Sequence, residues 1–188
     1  MKLSLVWIEP LAVINALLAV GLGVMGKRIT WLFWVSSSLL YGWIFAQARL
    51  WADSALQLVF LAAAVWGWQS WGRSDFCPGF MSLAQRSMAL LCAVVLWSAL
   101  SAVLLATGGS APLADAFVGA NSLVAQVLMV RQRTEHWLFW LAANLAGVGL
   151  FWSQELKATA ALYLLFAAMA LSGFWRWSRK VNPSDEPS

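Results

Sequence analysis

Seven long apolar runs, separated by short breaks that carry charged and turn-forming residues, dominate this sequence. Each run approaches the length of about 20 residues that an α-helix needs to cross the hydrocarbon core of a bilayer. The strands of a membrane β-barrel would be about half as long and would alternate apolar with polar residues. The sequence therefore predicts an all-α membrane protein with seven transmembrane helices. We expect the spans at residues 10–26, 30–47, 54–71, 87–108, 115–130, 137–153 and 158–177.

The composition agrees with a membrane location. Of the 188 residues, 62% are hydrophobic and 11% are charged, whereas soluble domains have about 25% charged residues. A soluble fold of this size has too much surface to hide such an excess of apolar side chains. The chain also has 14 tryptophans, a residue enriched at membrane–water interfaces. We expect most of them to be interface anchors, in particular Trp7, Trp71, Trp137 and Trp177.

The sequence contains an internal repeat. Residues 9–73 align without a gap on residues 115–179, and the motif Trp-Leu-Phe-Trp at 31–34 falls on the same motif at 137–140. Asn15 falls on Asn121 in this alignment. One further span separates the two copies, so both have the same orientation, which gives a 3+1+3 parallel repeat. We divide the chain into a first three-helix repeat (1–73), a cytoplasmic loop with a linker helix (74–114), a second repeat (115–180) and a disordered tail (181–188). Such repeats occur in transporters that bind solute near the midplane.

The basic residues predict the orientation. Lys and Arg accumulate on the cytoplasmic side of membrane proteins. With the N-terminus outside, the inner loops and tail carry Lys27, Arg28, Arg73, Arg86, Arg131, Arg133, Arg176, Arg179 and Lys180, and the outer side carries Lys2, Arg49 and Lys157. We therefore expect the N-terminus outside and the C-terminus in the cytoplasm.

Polar side chains inside the spans are candidates for a solute-binding site, because such groups are costly in lipid and should face the protein interior. Asn121 and Asn15 fit interhelical hydrogen bonds as well as ligand contacts, and both interpretations stay open. Amides together with aromatic rings suit a planar, hydrogen-bonding and possibly cationic solute. The candidates are Ser37, Tyr41, Gln57, Asn121, Ser122, Gln126, Trp140, Asn144 and Tyr163.

Several types of residue are missing from the middle of the predicted spans. There is no Lys or Arg that would bind a phosphate, so a dephosphorylated solute is favoured over a nucleotide. We place Glu9, Asp53 and Asp115 at helix starts, where capping and the helix dipole explain them, and Pro10 at the start of the first span. This leaves no mid-span carboxylate for coupling to protons or sodium, so passive transport is favoured. The sequence has no motif for catalysis, for a cofactor or for a metal, and no basic cluster for nucleic acid.

The chain resembles a known family at several of these positions. The segments 7–9, 50–53, 56–57 and 67–71 are similar to the first half of the PnuC vitamin transporters. In the second half the similar positions are Asp115, Ser122 to Gln126, Leu128, Met129, Glu135 to Trp137, Trp140 and Asn144. The chain departs from the family at His136, where asparagine is common, and at Ala114, where an aromatic residue often stands.

This resemblance implies a homotrimer in the bacterial inner membrane that takes up nicotinamide riboside by facilitated diffusion. It also implies a separate cytoplasmic kinase that traps the solute by phosphorylation, and places Gln57, Gln126, Trp140, Asn144 and Tyr163 near the substrate. Relatives carry thiamine or other vitamins, and thiamine is also a flat cation with hydrogen-bonding groups. Two alternatives therefore stay open: a thiamine (or other vitamin) transporter, and a membrane sensor that binds a vitamin without moving it. An enzyme is not indicated, because the spans contain no nucleophile or acid–base pair.

Overall fold

The computed structural model describes residues 2–47, 51–72, 76–108, 111–155 and 157–181, with side chains except at 2–9, 45, 51–55 and 158. These residues form seven α-helices and no strand. The helices are α1 (Lys2–Val24), α2 (Thr30–Gln47), α3 (Trp51–Ser70), α4 (Leu83–Ala106), α5 (Pro112–Val130), α6 (His136–Ser153) and α7 (Lys157–Ser178). The predicted all-α architecture is confirmed.

Every helix except α2 begins before its predicted span, and the difference is largest for α1 and α4. The start of α1 lies at Lys2, so Pro10 and Glu9 lie inside the helix and not at its start. A membrane helix tolerates an internal proline when neighbouring groups satisfy the freed carbonyl. The start of α4 lies at Leu83, because Ser82 and Gln85 form a reciprocal capping box. Pro112 opens α5, where its missing N–H is not needed.

Length and composition alone distinguish only some of the helices as membrane spans. Among the described residues, Leu83–Ala106, Pro112–Val130 and Thr159–Ser178 are long and apolar enough to cross a membrane, and Pro10–Val24 and Leu56–Ser70 are shorter apolar helices. Of the three, α4 is mostly exposed and α5 mostly buried. From Met88 onward the exposed face of α4 is mostly apolar, as expected of a surface in contact with lipid.

The chain divides into two compact units, and the first comprises Met1–Phe76 with α1, α2 and α3. Within it, α2 packs against both α1 and α3. The buried Thr30 hydroxyl donates a hydrogen bond to the Ala19 carbonyl at 2.6 Å. The Ser36 hydroxyl donates to Asn15 Oδ1, and Asn15 Nδ2 donates to the Leu11 carbonyl. Polar side chains thus connect α1 to α2 at two levels, which favours the structural interpretation of Asn15.

The second unit comprises Cys77–Ser188 with α4 to α7, packed in chain order. Its buried apolar core joins the loop before α4 to α4, α5 and α6, and Trp140 packs against it. Small residues let the helices approach closely, as is usual in membrane bundles. The core residues are Met81, Ala89, Ala93, Val124, Ala125, Leu128 and Phe139.

The prediction that the tryptophans are interface anchors is wrong for Trp71, Trp137 and Trp177, which are at most 5% exposed. Trp31 and Trp71 form an edge-to-face pair with centroids 5.2 Å apart. Trp137 and Trp177 form a second such pair at 5.7 Å. The side chain of Trp7 lies outside the described residues.

The glycines of α3 and α7 make room for these buried rings. Trp31 lies over Gly67, and Trp137 lies over Gly173. The same tryptophan–glycine arrangement therefore occurs in both units, at positions that the sequence repeat aligns. The parallel repeat and its division of the chain at 73, 114 and 180 stay predictions, and the tail 182–188 lies outside the described residues.

The glycine under Trp137 provides a test of this packing. Gly173→Ala would place a methyl group inside the ring of Trp137, and such overpacking destabilises a core by about 1–3 kcal/mol. Gly149→Ala is the matched control, because an added methyl group meets nothing there and alanine favours the helix by up to about 1 kcal/mol. Thermal unfolding in detergent should show a lower Tm for the first variant only. Equal Tm values would contradict the packing.

Candidate functional site

The predicted site residues of the first unit lie on α2 and α3. Ser37 is 5% exposed, whereas Tyr41 and Gln57 are half-buried. A methyl group added at Gly42 would lie 3.5 Å from Cβ of Gln57, so the two helices approach closely beside Tyr41. The structure therefore brings Gln57 to the part of α2 that carries Tyr41, one turn beyond Ser37.

In the second unit the predicted residues lie on three consecutive helices. The short turn from Arg131 to Glu135 makes α5 and α6 antiparallel neighbours. Gln126 lies four residues before the end of α5 and Trp140 four residues after the start of α6, so the rise of about 1.5 Å per residue puts them at one level. Ser122 and Asn144 lie at the next level by the same reasoning. The hairpin thus forms two polar levels deep within the helices.

Gln126 is the most unusual of these side chains. It is 1% exposed, and neither its Oε1 nor its Nε2 has a hydrogen-bond partner among the described residues. A buried polar group without a partner costs about 1–3 kcal/mol. By contrast, the Ser122 hydroxyl one turn earlier donates to the Val118 carbonyl of its own helix at 2.7 Å. Gln126 therefore has one unused donor group and one unused acceptor inside the protein.

One face of α6 carries the aromatic part of the site. Trp140, Asn144, Gly147 and Phe151 follow one another at helical spacing. Gly147 has no side chain, and the ring of Tyr163 on α7 occupies the space above it. Tyr163 also packs against Phe151 with centroids 4.9 Å apart. Asn144, 7% exposed, lies between the indole of Trp140 and this tyrosine along the helix.

Asn121 lies on a different face of α5 from Ser122 and Gln126. It is one residue from Ser122 and therefore about 100° around α5 from it. Its Nδ2 donates to the Phe117 carbonyl at 2.9 Å, and its side chain lines a cavity of about 390 Å³ in the second unit. Ser122, Gln126, Trp140, Asn144 and Tyr163 do not line this cavity. Whether Asn121 is a structural residue or a ligand contact stays a prediction.

The loop before α4 is fastened to the turn between α5 and α6 by backbone hydrogen bonds. Gly79 N–H donates to the Gln132 carbonyl at 3.1 Å, and Thr134 N–H donates to the Gly79 carbonyl at 2.9 Å. Cys77 N–H donates to Oε1 of the Gln132 side chain at 2.7 Å. These bonds hold the loop against the end of the cavity.

Sequence reasoning did not identify Glu135 as a site residue. This carboxylate is 6% exposed, lines the cavity and accepts hydrogen bonds from Met81 N–H and from Arg86, each at 2.9 Å. Both partners lie about fifty residues earlier in the chain, so no local pattern indicates the contact. The available signals were the resemblance of residues 135–137 to the PnuC family and the position of a glutamate among several loop arginines.

His136, where the chain departs from the family's asparagine, is the first residue of α6 and is fully buried. Its ring lies 4.4 Å from that of Trp137 and 4.5 Å from that of Trp177. Nδ1 donates to the Arg133 carbonyl at 2.7 Å, because a carbonyl can only accept. The residue therefore belongs to the core under α7.

Comparison with known proteins decides the family. Residues 6–179 match the family described as "Nicotinamide mononucleotide transporter". The chain belongs to this family. The PnuC resemblance predicted from the sequence is confirmed, since the "Nicotinamide riboside transporter PnuC" of Escherichia coli (strain K12) is 28% identical over 93% of this chain and 86% of that protein.

Two further known proteins are similar to this chain over most of its length. The "Riboflavin/roseoflavin transporter RibM" of Streptomyces davaonensis is 25% identical over 97% of this chain and 90% of that protein. The crystal structure of the "Vitamin B3 transporter PnuC" matches with a TM-score of 0.77 at 22% identity, over 93% of this chain and 82% of that chain. The structural match shows the fold of an all-α membrane transporter. These relatives are named as transporters and not as enzymes, in agreement with the sequence prediction.

The unpartnered amide of Gln126 predicts that its removal stabilises the protein but weakens solute binding. Gln126→Leu removes a buried polar group that lacks partners, so we expect a higher Tm in detergent together with weaker solute binding. Val127→Ala is the control, because Val127 is 40% exposed on the same helix, and its stability should change by less than about 0.5 kcal/mol. A lower Tm for Gln126→Leu would show that the amide supports the fold instead.

Proposed function

We propose that this family member takes up nicotinamide riboside across the bacterial inner membrane. The observation that carries the proposal is the buried, unpartnered amide of Gln126, one helical level from Asn144 and opposite the indole of Trp140. An unused amide can read the carboxamide of nicotinamide through a donor and an acceptor. Aromatic rings nearby suit a flat cationic pyridinium. The first unit's candidates Ser37, Tyr41 and Gln57 stay predictions.

The proposed solute is the riboside and not the mononucleotide in the family's description. Phosphate binding in proteins depends on Arg, Lys or the N-termini of helices. No Lys or Arg lies in the central part of any of the seven described helices. The relative from Escherichia coli is named for the riboside, which supports the same choice.

We propose that transport is uncoupled and that a cytoplasmic kinase traps the solute by phosphorylation. Coupled transporters use carboxylates within the membrane, and Asp115 lies in the first turn of α5. Glu9 is the residue to examine, because α1 begins before it. Net uptake down a gradient requires that the internal concentration of the dephosphorylated solute stays low, which a kinase would ensure.

Riboflavin is the second candidate solute, because RibM aligns with almost the whole chain. Its ring system is flat and carries carbonyl and imide groups that amides can bind, but it has no fixed positive charge. Thiamine, the alternative raised by the sequence, has a cationic ring and stays a prediction. A sensor without transport is less favoured, since the relatives are named as transporters.

Uptake into vesicles containing the purified protein tests the substrate. We expect saturable uptake of labelled nicotinamide riboside that is blocked by the unlabelled riboside and unaffected by the mononucleotide, thiamine or riboflavin. Gln126→Ala and Asn144→Ala should each weaken binding about tenfold, because each removes a buried hydrogen-bonding group. Val127→Ala on the exposed face of α5 is the control and should bind normally. Uptake of riboflavin or thiamine alone would reassign the substrate.

The same vesicles test coupling. A proton or sodium gradient should leave the initial uptake rate unchanged, since no carboxylate is proposed to bind a coupling ion. Acceleration by protons that disappears in Glu9→Gln would contradict uncoupled transport and identify the coupling residue.

We further propose that the protein is a homotrimer. Native mass spectrometry of the purified protein checks the number of subunits.

We also propose that the N-terminus lies outside and the C-terminus in the cytoplasm. Cys77 is exposed in the loop that the distribution of basic residues assigns to the cytoplasm. In the Cys92→Ser background, a membrane-impermeant maleimide should label Cys77 in inside-out vesicles and not in intact cells. Labelling of intact cells would reverse the orientation.

A further inference from the structure

The cavity beside Asn121 has the size and wall of a ligand site. Its volume of about 390 Å³ falls within the range of about 300–1,000 Å³ that is usual for small-molecule pockets. It extends from Asn121 and Ala142, within α5 and α6, to Phe80 and Glu135 at the loop end of the unit. The wall includes three aromatic rings. These belong to Phe80, Phe139 and Phe174.

Glu135 has an incomplete set of hydrogen bonds. Its Oε1 accepts from Met81 N–H and from Arg86 Nε, whereas the buried Oε2 has no hydrogen-bond partner among the described residues. A buried carboxylate is costly unless a cation or several donors compensate its charge. Glu135 can therefore gain from a further positively charged or donor group.

The ion pair with Arg86 is asymmetric. The Arg86 side chain is 46% exposed, whereas that of Glu135 is 8% exposed. An arginine this exposed regains hydration when it leaves the pair, so most of the cost of separating the two charges comes from the buried carboxylate. The carboxylate cannot regain hydration in this way, because Met81 N–H and the surrounding wall hold it in place. A second cation that enters the cavity would therefore displace the arginine and leave the glutamate where it is.

We propose that this cavity is a second, inner binding station for a flat cationic solute, in which the positive ring lies among the three phenylalanines and replaces Arg86 as the counter-ion of Glu135. Cation–π contacts with the phenylalanine rings favour a charged ring over a neutral ring of the same shape. The inference rests on the proposed function, because it takes the cationic riboside as the solute. It assigns to the loop end of the second unit a site separate from Gln126 and Asn144.

Exchange of counter-ions predicts that substitutions of Glu135 and Arg86 have opposite effects on the preference for a cationic solute. Removal of the carboxylate removes the attraction for the cation, whereas removal of the arginine removes its competitor. An ion pair with a structural role alone would give losses of the same sign in both variants. Arg131, at the same end of the unit, does not line the cavity and is a matched charge control.

The experiment compares nicotinamide riboside with its dihydro form, which has the same size and no charge on the ring. Uptake of both is measured in vesicles, and the ratio of cationic to neutral uptake at low concentration is the readout. We expect the ratio to fall at least about fivefold in Glu135→Gln and to rise in Arg86→Gln. It should be unchanged in Arg131→Gln. Phe174→Leu keeps the charges and removes one ring, and should lower the ratio by about two- to threefold.

Each result decides between the proposals. Suppose that the wild type takes up the riboside and that Glu135→Gln, Arg86→Gln and Phe174→Leu all keep the wild-type ratio of cationic to neutral uptake. This result would overturn the inner station and leave the proposed function intact. Parallel falls in the first two variants would assign the ion pair a structural role. Should Glu135→Gln fail to fold, an unchanged ratio in both Arg86→Gln and Phe174→Leu would overturn the proposal. Wild-type vesicles that take up neither form would contradict the proposed function, and this inference with it.

Discussion

A bilayer offers no hydrogen-bond partner to the backbone, and the rest of this structure depends on that constraint. Every peptide group at membrane depth must be satisfied within a helix, so side chains provide the polar chemistry inside the protein. The described helices contain few polar residues within their spans, and small residues allow their close packing. Each buried polar atom therefore needs an explanation, either as a contact between helices or as a contact with solute.

The two asparagines and Gln126 illustrate the two explanations. Asn15 and Asn121 both donate to the carbonyl four residues earlier in their own helix, and Asn15 also accepts from Ser36 on α2. Their amides are at least partly used by the fold. Gln126 has the same chemistry but no partner among the described residues. Since an unmade buried hydrogen bond destabilises the folded protein, we propose that the solute makes these bonds with Gln126.

The sequence predicted the helices well, because apolar runs in a membrane protein are long and their breaks are charged. It failed where distant parts of the chain meet. Trp71, Trp137 and Trp177 resemble interface anchors in composition, but Gly67 and Gly173 make space for rings in the interior. The contact of Glu135 with Met81 and Arg86 depends on a pairing of two loops that no periodicity predicts.

The positions of Gln126 and Glu135 suggest how such a protein can avoid holding its solute too tightly. A single deep site with a full set of partners would release a solute slowly, whereas two incomplete sites each supply part of the binding energy. Gln126 offers an amide without a charge, and Glu135 offers a charge that Arg86 already neutralises. Exchange with Arg86 restores a partner for the carboxylate as the cation leaves. Release at the loop end therefore leaves no unpaired charge in the protein, and the empty transporter keeps its fold.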